Sequence, residues 1–254
     1  MIGIGKKIEN IIRSTYSSSE NIKRDDLYRL LTKYFYGDLN RSTFDWRIYE
    51  LKKTGVIEPV RQGVYRLSGG KKIFYPIISN KQKRINRLIN KAFMDINYCS
   101  WNSSWLNEFS RHQVYSNILI LNIEKEFMQS VFHLLMDNSF RNLYINPDQK
   151  INDNYISENK ESIIINSLIT KSPLFKIFKV PIPRIEKILV DTFCDDNLLQ
   201  PFKGEELITI FSNAFEEYKI DIAKLINYSR RRKKEKQIKA FLIQNQIISE
   251  DVFL

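Results

Sequence analysis

The run Ile118-Leu119-Ile120-Leu121-Asn122-Ile123 constrains this chain more than any other stretch. A strand apolar nearly throughout is stable only where both of its faces are covered, so the run predicts the central strand of a sheet. Helical patterns stand on either side of it in sequence. Residues 83–96 carry Ile85, Leu88, Ile89 and Phe93 on one face, and residues 126–137 turn Phe127, Val131, Leu134 and Leu135 inward. Asn142–Ile145 and Ser162–Ile165 read as further strands, and the polar stretch from Asn146 to Glu161 reads as a loop. After Pro181 and Pro183 the chain reads as helical over 184–193, 203–219 and 221–246. Residues 83–254 are therefore expected to form a small mixed-sheet domain with a helical C-terminal end, of the α+β or α/β class.

The first 68 residues have a different rhythm. Residues 1–14 suit a helix with Ile4, Ile8, Ile11 and Ile12 on one face, and Ser17-Ser18-Ser19 breaks it. A second helix is expected over 24–35, burying Leu27, Leu30, Leu31 and Tyr34 and ending at Gly37-Asp38. A third, capped by Ser42, runs to Lys53 with Phe44, Ile48 and Leu51 as its apolar stripe, and Gly55 supplies a left-handed stop. Val56–Val60 and Val64–Leu67 read as strands joined by a tight turn at Gln62-Gly63. Three helices followed by a hairpin is the layout of a winged helix-turn-helix, here residues 1–68. Residues 69–82, with Gly69-Gly70, Pro76 and Ser79-Asn80, read as a linker.

Charge separates the same regions. The chain carries a net +11, but residues 1–80 hold 15 basic and 8 acidic residues, and residues 224–239 hold eight basic residues and only Glu235. Generic lysine enrichment would not leave the stretch between them near neutral. Two cationic regions point to a polyanionic partner. No apolar run approaches the roughly 18 residues that span a bilayer, so no membrane partner is expected. Met1–Lys7 lacks the charged and apolar regions of a signal peptide. Cys99 and Cys194 form no CxxC pair and no disulfide framework, which fits a reducing cytoplasm. With two histidines and two cysteines, no metal site is expected, and no cofactor.

A helix in the DNA major groove presents its N-terminal side chains to base edges. On the third helix those are Arg41, Ser42, Thr43, Asp45, Trp46 and Arg47, with Arg47 suited to guanine and Arg41 and Ser42 to phosphate. Arg61 and Gln62 at the hairpin tip, with Arg66, would contact the adjacent backbone or minor groove. Arg230, Arg231, Arg232, Lys233 and Lys234 form a second basic patch, spread around a helix and suited to phosphate or to an acidic protein. The acidic cluster Glu186, Asp191, Asp195 and Asp196 is the one candidate for Mg²⁺ chemistry, as in a nuclease or nucleotidyltransferase. Yet Ile123-Glu124-Lys125-Glu126 lacks a nuclease's Glu-x-Lys, Ser103-Ser104 lacks a nucleotidyltransferase's paired acids, and no GxxxxGK[ST] loop is present. No catalytic residue emerges, and an enzyme is not expected. His133 reads as a partly buried helix residue, and Cys99 and Cys194 read as core. A protein-interaction module is the other alternative, since winged helices also serve that role.

Several segments in order resemble AbiEi-type antitoxins of type IV toxin–antitoxin systems. They are Leu27–Leu31, Ser42-Thr43-Phe44, Leu51–Ile57 and Arg61–Tyr65, then Trp101–Glu108, Asn122–Lys125, Arg184–Asp191 and Tyr228–Arg232. The resemblance covers about residues 20–240. It implies a winged-helix protein that binds double-stranded DNA at its own promoter and represses it. It also implies a C-terminal domain that counters a nucleotidyltransferase-like toxin without a stable complex. By position, Ser42, Thr43 and Arg47 would fall on the recognition helix and Arg61 on the wing. The insertion around Asn146–Glu161 departs from the family pattern.

Overall fold

The computed structural model describes residues 4–17, 20–37, 39–68, 71–115, 117–156, 159 and 161–253. The fold is mixed α+β, and the chain divides into two compact units. The first spans the chain to Tyr75 and takes in Glu216–Lys219; the second holds Pro76–Phe215 and Ile220–Leu254. Ser18-Ser19 and Gly69-Gly70, expected as a break and as part of the linker, lie outside the described residues.

In the first unit, α1 (Ile4–Thr15) buries Ile8 and Ile12. The two-residue strand β1 (Ile22–Lys23) leads into α2 (Arg24–Leu31). A single π-helical turn, Thr32–Tyr36, follows. Tyr34, expected on the buried side, is 53% exposed. The wider turn advances each side chain by less than the α-helical 100°, so the apolar stripe does not continue through it. Helix α3 (Arg41–Lys53) is capped by Asn40, whose side chain accepts from the Thr43 N–H at 2.8 Å. Ser42, expected as the cap, is the second helical residue and lies exposed. The helix ends in a Schellman motif: Gly55 N–H donates to the Lys52 carbonyl and Val56 N–H to that of Leu51. Strands β2 (Ile57–Arg61) and β3 (Val64–Leu67) form the expected hairpin, and the sheet order is β1-β3-β2. Leu27, Leu31, Phe44, Ile48, Ile57 and Leu67 share one core with Ile8 and Ile12.

The second unit opens with α4 (Asn80–Ala92), three residues earlier than its apolar pattern suggested, because Ser79 and Gln82 form a capping box. Strand β4 (Tyr98–Asn102) and a 3-10 turn at Ser103–Glu108 precede β5 (Asn117–Ile123). Then come α5 (Met128–Asp137), β6 (Leu143–Ile145), the single turn α6 (Gln149–Ile151) and β7 (Glu161–Ser167). The segment read as a loop thus holds a turn, capped by Asp148, which continues as a π-turn to the buried Ile156. The sheet order is β4-β5-β7-β6, so β5 is central as expected, antiparallel to β4 and parallel to β7. Leu119, Leu121 and Ile123 face α4 and α5 in one core with Ile85, Ile89, Val131 and Leu135. Alternation sends Ile118, Ile120 and Asn122 to the other face.

A hairpin, β8 (Leu174–Ile177) and β9 (Val180–Pro183), leads into α7 (Ile185–Cys194) and α8 (Glu205–Glu217). The helix expected over 221–246 is two helices, α9 (Ile222–Arg231) and α10 (Glu235–Gln244). Lys233 sits at φ 58° between them, with Lys234 N–H donating to the Ser229 carbonyl and Lys233 N–H to that of Arg230, a Schellman stop without glycine. Five successive cations inside one helix would repel one another. The break puts Arg230 and Arg231 at one helix C-terminus and Glu235 at the next N-terminus, as the helix dipoles favour.

Gly55 tests the α3 stop. Its φ is 69°, and a Cβ there would meet Lys72 Cα at 2.8 Å. Gly55→Ala is expected to destabilise the first unit by about 2 kcal/mol, read from thermal unfolding; a change under about 0.5 kcal/mol would show that the stop does not require glycine.

Candidate functional site

Helix α3 turns Phe44, Ile48 and Leu51 inward, which leaves its N-terminal turns at the surface. Arg41, Ser42 and Trp46 are exposed, and Thr43 and Arg47 are half-buried. The Arg47 guanidinium stacks over the Trp46 indole, 4.6 Å from the ring centroid, which orients both groups. Asp45 is engaged otherwise: it forms an ion pair with Arg24 of α2, whose guanidinium also lies 4.8 Å over the Phe44 ring. Arg61 and Gln62 sit exposed at the hairpin tip, turned by Gly63 at φ 71°.

Arg66, the other basic residue of the hairpin, lies directly across the ladder from Glu58 and donates to its carboxylate. Lys219 Nζ donates to the other oxygen of Glu58 at 2.6 Å. Burial pushes the Glu58 carboxyl up, but the hydrogen bonds from Lys219 and Arg66 outweigh it and hold the group below the ordinary carboxylate range. Arg66 therefore carries a structural duty, whereas Arg61 pairs with no carboxylate among the described residues.

The acidic cluster read from the sequence is dispersed. Glu186 is 4% exposed; one carboxylate oxygen accepts from the Asp221 N–H at 2.8 Å, and the other is buried without a hydrogen-bond partner. Burial raises its pKa despite that hydrogen bond. Asp195 accepts from the Asn197 and Leu198 N–H groups at 2.9 and 2.7 Å, closing a turn. Asp196 pairs with Lys203 at 2.8 Å. Among the described residues, no group of three or more His, Cys, Asp or Glu side chains is placed to hold a metal ion.

Asp191 belongs to something else. It forms an ion pair with Lys187, one helical turn earlier on α7, and accepts from Tyr228 Oη of α9 at 2.9 Å. Lys187 is only 1% exposed and also donates to Asn122 Oδ1 of β5 at 3.0 Å. Arg232 approaches the same carboxylate at 3.7 Å. Burial alone would lower the Lys187 pKa; the adjacent Asp191 more than reverses that, so the ammonium keeps its charge. Cys99 lies within this core, and burial pushes its thiol up to about 11. Cys194, read as core, is half-buried beside Arg232. His133 is exposed on α5, with Gln129 beside its ring at 3.0 Å, not partly buried.

The basic run divides by duty. Arg230 grips Glu235 with two hydrogen bonds, at 2.6 and 3.0 Å. Arg231 donates to the Thr170 hydroxyl, Arg232 turns toward Asp191, and Lys233 and Lys234 form the interhelical stop. Arg230 and Arg231 line an open cleft of about 560 Å³ with Lys171, Pro173, Lys224 and Asn227. Lys224 lies at the start of the basic segment visible in the sequence; nothing in the sequence pointed to Lys171.

A family model covers most of this architecture. It describes a family of unknown function, DUF6577, and matches residues 43–248, from the first turn of α3 to beyond α10. The chain belongs to the DUF6577 family. No curated protein matches it. The match takes in the hairpin and the whole Lys187–Asp191 network.

Two outcomes check these ion pairs. Lys187→Met leaves Asp191 buried beside a hydrocarbon and is expected to cost about 3–5 kcal/mol in urea unfolding, most of it regained in Lys187→Met/Asp191→Leu; a single variant within 1 kcal/mol of the parent contradicts the account. Because the Glu58 pKa is depressed, its contribution to stability is full above the ordinary carboxylate range, near pH 4.3, and is lost as pH falls through and below it. Glu58→Gln is therefore expected to flatten the acid limb of the stability–pH curve, and an unchanged limb would refute the assignment.

Proposed function

We propose that this protein is a DNA-binding antitoxin and transcriptional autorepressor of the AbiEi type, acting in the cytoplasm. In this reading the first unit is a winged helix-turn-helix that binds double-stranded DNA at its own promoter. The second unit antagonises a nucleotidyltransferase-like toxin without a stable complex. The observation that carries the reading is the order α1-β1-α2-α3-β2-β3 closed by a β1-β3-β2 sheet, with the N-terminal turns of α3 and the hairpin tip left exposed. That order fits a winged helix, in which α3 enters the major groove and the hairpin reaches the flanking backbone.

The geometry narrows the reading face. Asp45 and Arg66 are engaged by Arg24 and Glu58, so Arg41, Ser42, Thr43, Trp46 and Arg47 on α3 and Arg61 and Gln62 on the hairpin remain as the DNA-facing set. Arg47, oriented by Trp46, suits a bidentate contact to guanine, and Arg41 and Arg61 suit phosphate.

Fluorescence anisotropy with a duplex from upstream of the gene tests this. Arg47→Ala is expected to weaken binding about tenfold or more. Arg61→Ala is expected to weaken it across sequences and to reduce the salt slope by about 1. Arg66→Ala should change stability more than affinity. Unchanged affinity in both Arg47→Ala and Arg61→Ala would overturn the assigned face.

A further inference from the structure

The cleft on the second unit has walls from two separated segments. Lys171 and Pro173 come from the turn before β8; Lys224, Asn227, Arg230 and Arg231 come from α9. Residues 224, 227 and 231 follow the i, i+3, i+7 spacing of one helical face, while Leu225, Ile226, Tyr228 and Ser229 are buried. The cleft is therefore the outer face of the helix whose inner face is fixed by Tyr228 on Asp191.

Its charge is only partly neutralised. Lys224 pairs with Asp221 and Arg230 with Glu235, but neither acid lines the cleft. Lys171 and Arg231 pair with no carboxylate among the described residues, and both line the cleft, one from each of the two segments. Arg231 is held in place by the Thr170 hydroxyl, one residue from Lys171. Like charges gathered in one concavity repel each other until an anion binds among them. The orienting hydrogen bond means that little side-chain freedom is lost when that anion arrives.

We infer that this cleft binds a small ligand carrying two or more phosphates, of the nucleoside di- or triphosphate class. From Lys224 to Arg231 the helix rises by about 10 Å, which exceeds one phosphate and suits a short phosphate chain. The volume, about 560 Å³, lies within the range of small-molecule sites, about 300–1,000 Å³. Among the described residues no aromatic side chain lines it, and those residues offer no stacking platform of the kind that grooves for single-stranded nucleic acid use. Recognition falls on the phosphates, through guanidinium forks and ammonium groups, with little preference among bases. The inference concerns the second unit and does not depend on DNA binding by the first.

Calorimetric titration of the full chain with inorganic tripolyphosphate, ATP, GTP and a twelve-nucleotide single strand tests it, with no promoter DNA present. Tripolyphosphate, ATP and GTP are expected to bind with affinities within about threefold of one another, and more tightly than the single strand. Lys171→Glu/Arg231→Glu should weaken them at least tenfold, and Lys171→Ala alone at least threefold. Arg141→Glu, a cation lining a different cleft, should leave them unchanged. Three results would overturn the proposal: no binding of tripolyphosphate or ATP at millimolar concentration, equal loss in Arg141→Glu, or tighter binding of the single strand lost in the same double variant.

Discussion

A carboxylate taken out of water must find cations or give up its charge. Three buried carboxylates, Glu58, Glu186 and Asp191, face that condition. Glu186 meets it with a backbone N–H and a raised pKa, whereas Glu58 and Asp191 draw cations. Glu58 draws Arg66 across a strand ladder and Lys219 from a segment far away in sequence, joining the hairpin to that segment. Asp191 draws Lys187, Tyr228 and Arg232, and through Lys187 reaches Asn122 on the central strand. Helices α7 and α9 are thereby fixed against the face of β5 opposite α4 and α5.

The excess of cations in the sequence is thus divided by geometry. Some have structural duties that a charge count cannot separate from binding: Arg24 on Asp45, Arg66 on Glu58, Lys187 and Arg232 on Asp191. Arg41 and Arg61 in the first unit and Lys171 and Arg231 in the second pair with no carboxylate among the described residues. Helix α9 shows the division on one element. Tyr228 faces the buried network, while Lys224, Asn227 and Arg231 face solvent over a concave surface. One side of the helix serves stability and leaves the other free for recognition.

The sequence made the main elements legible where the apolar pattern was strong. The central strand β5, helices α1, α3, α5 and α7, and the β2–β3 hairpin all follow from spacing and from Gly55 and Gly63. What it concealed has local causes. The β8–β9 turn places Phe178 and Lys179 at φ 48° and 67° with none of the Asn, Asp or Gly that announce such turns. Pro181 and Pro183 argue against a strand, yet in a two-stranded ladder each strand is an edge and tolerates them. The break at Lys233 carries no glycine. The candidate face on α3 was legible because helix and hairpin were. The Lys171 wall was not, because it depends on which distant segment packs beside α9. Of the stretches Glu186–Asp191 and Tyr228–Arg232, the residues Lys187, Asp191, Tyr228 and Arg232 meet in the interior and their charge is structural, while Arg230 and Arg231 stay at the surface.

In the proposed reading the N-terminal turns of α3 contact DNA, and one residue on them reports on it. Of the three tryptophans, Trp101 and Trp105 are buried at 1% and 9% exposure, whereas Trp46 on that face is 49% exposed. Acrylamide quenching of the intact chain therefore reads mainly Trp46. With a saturating duplex from the promoter region, the quenching constant should fall toward that of Trp46→Phe. If the duplex is fully bound by an independent readout and Trp46 is quenched as readily as before, α3 does not face the DNA.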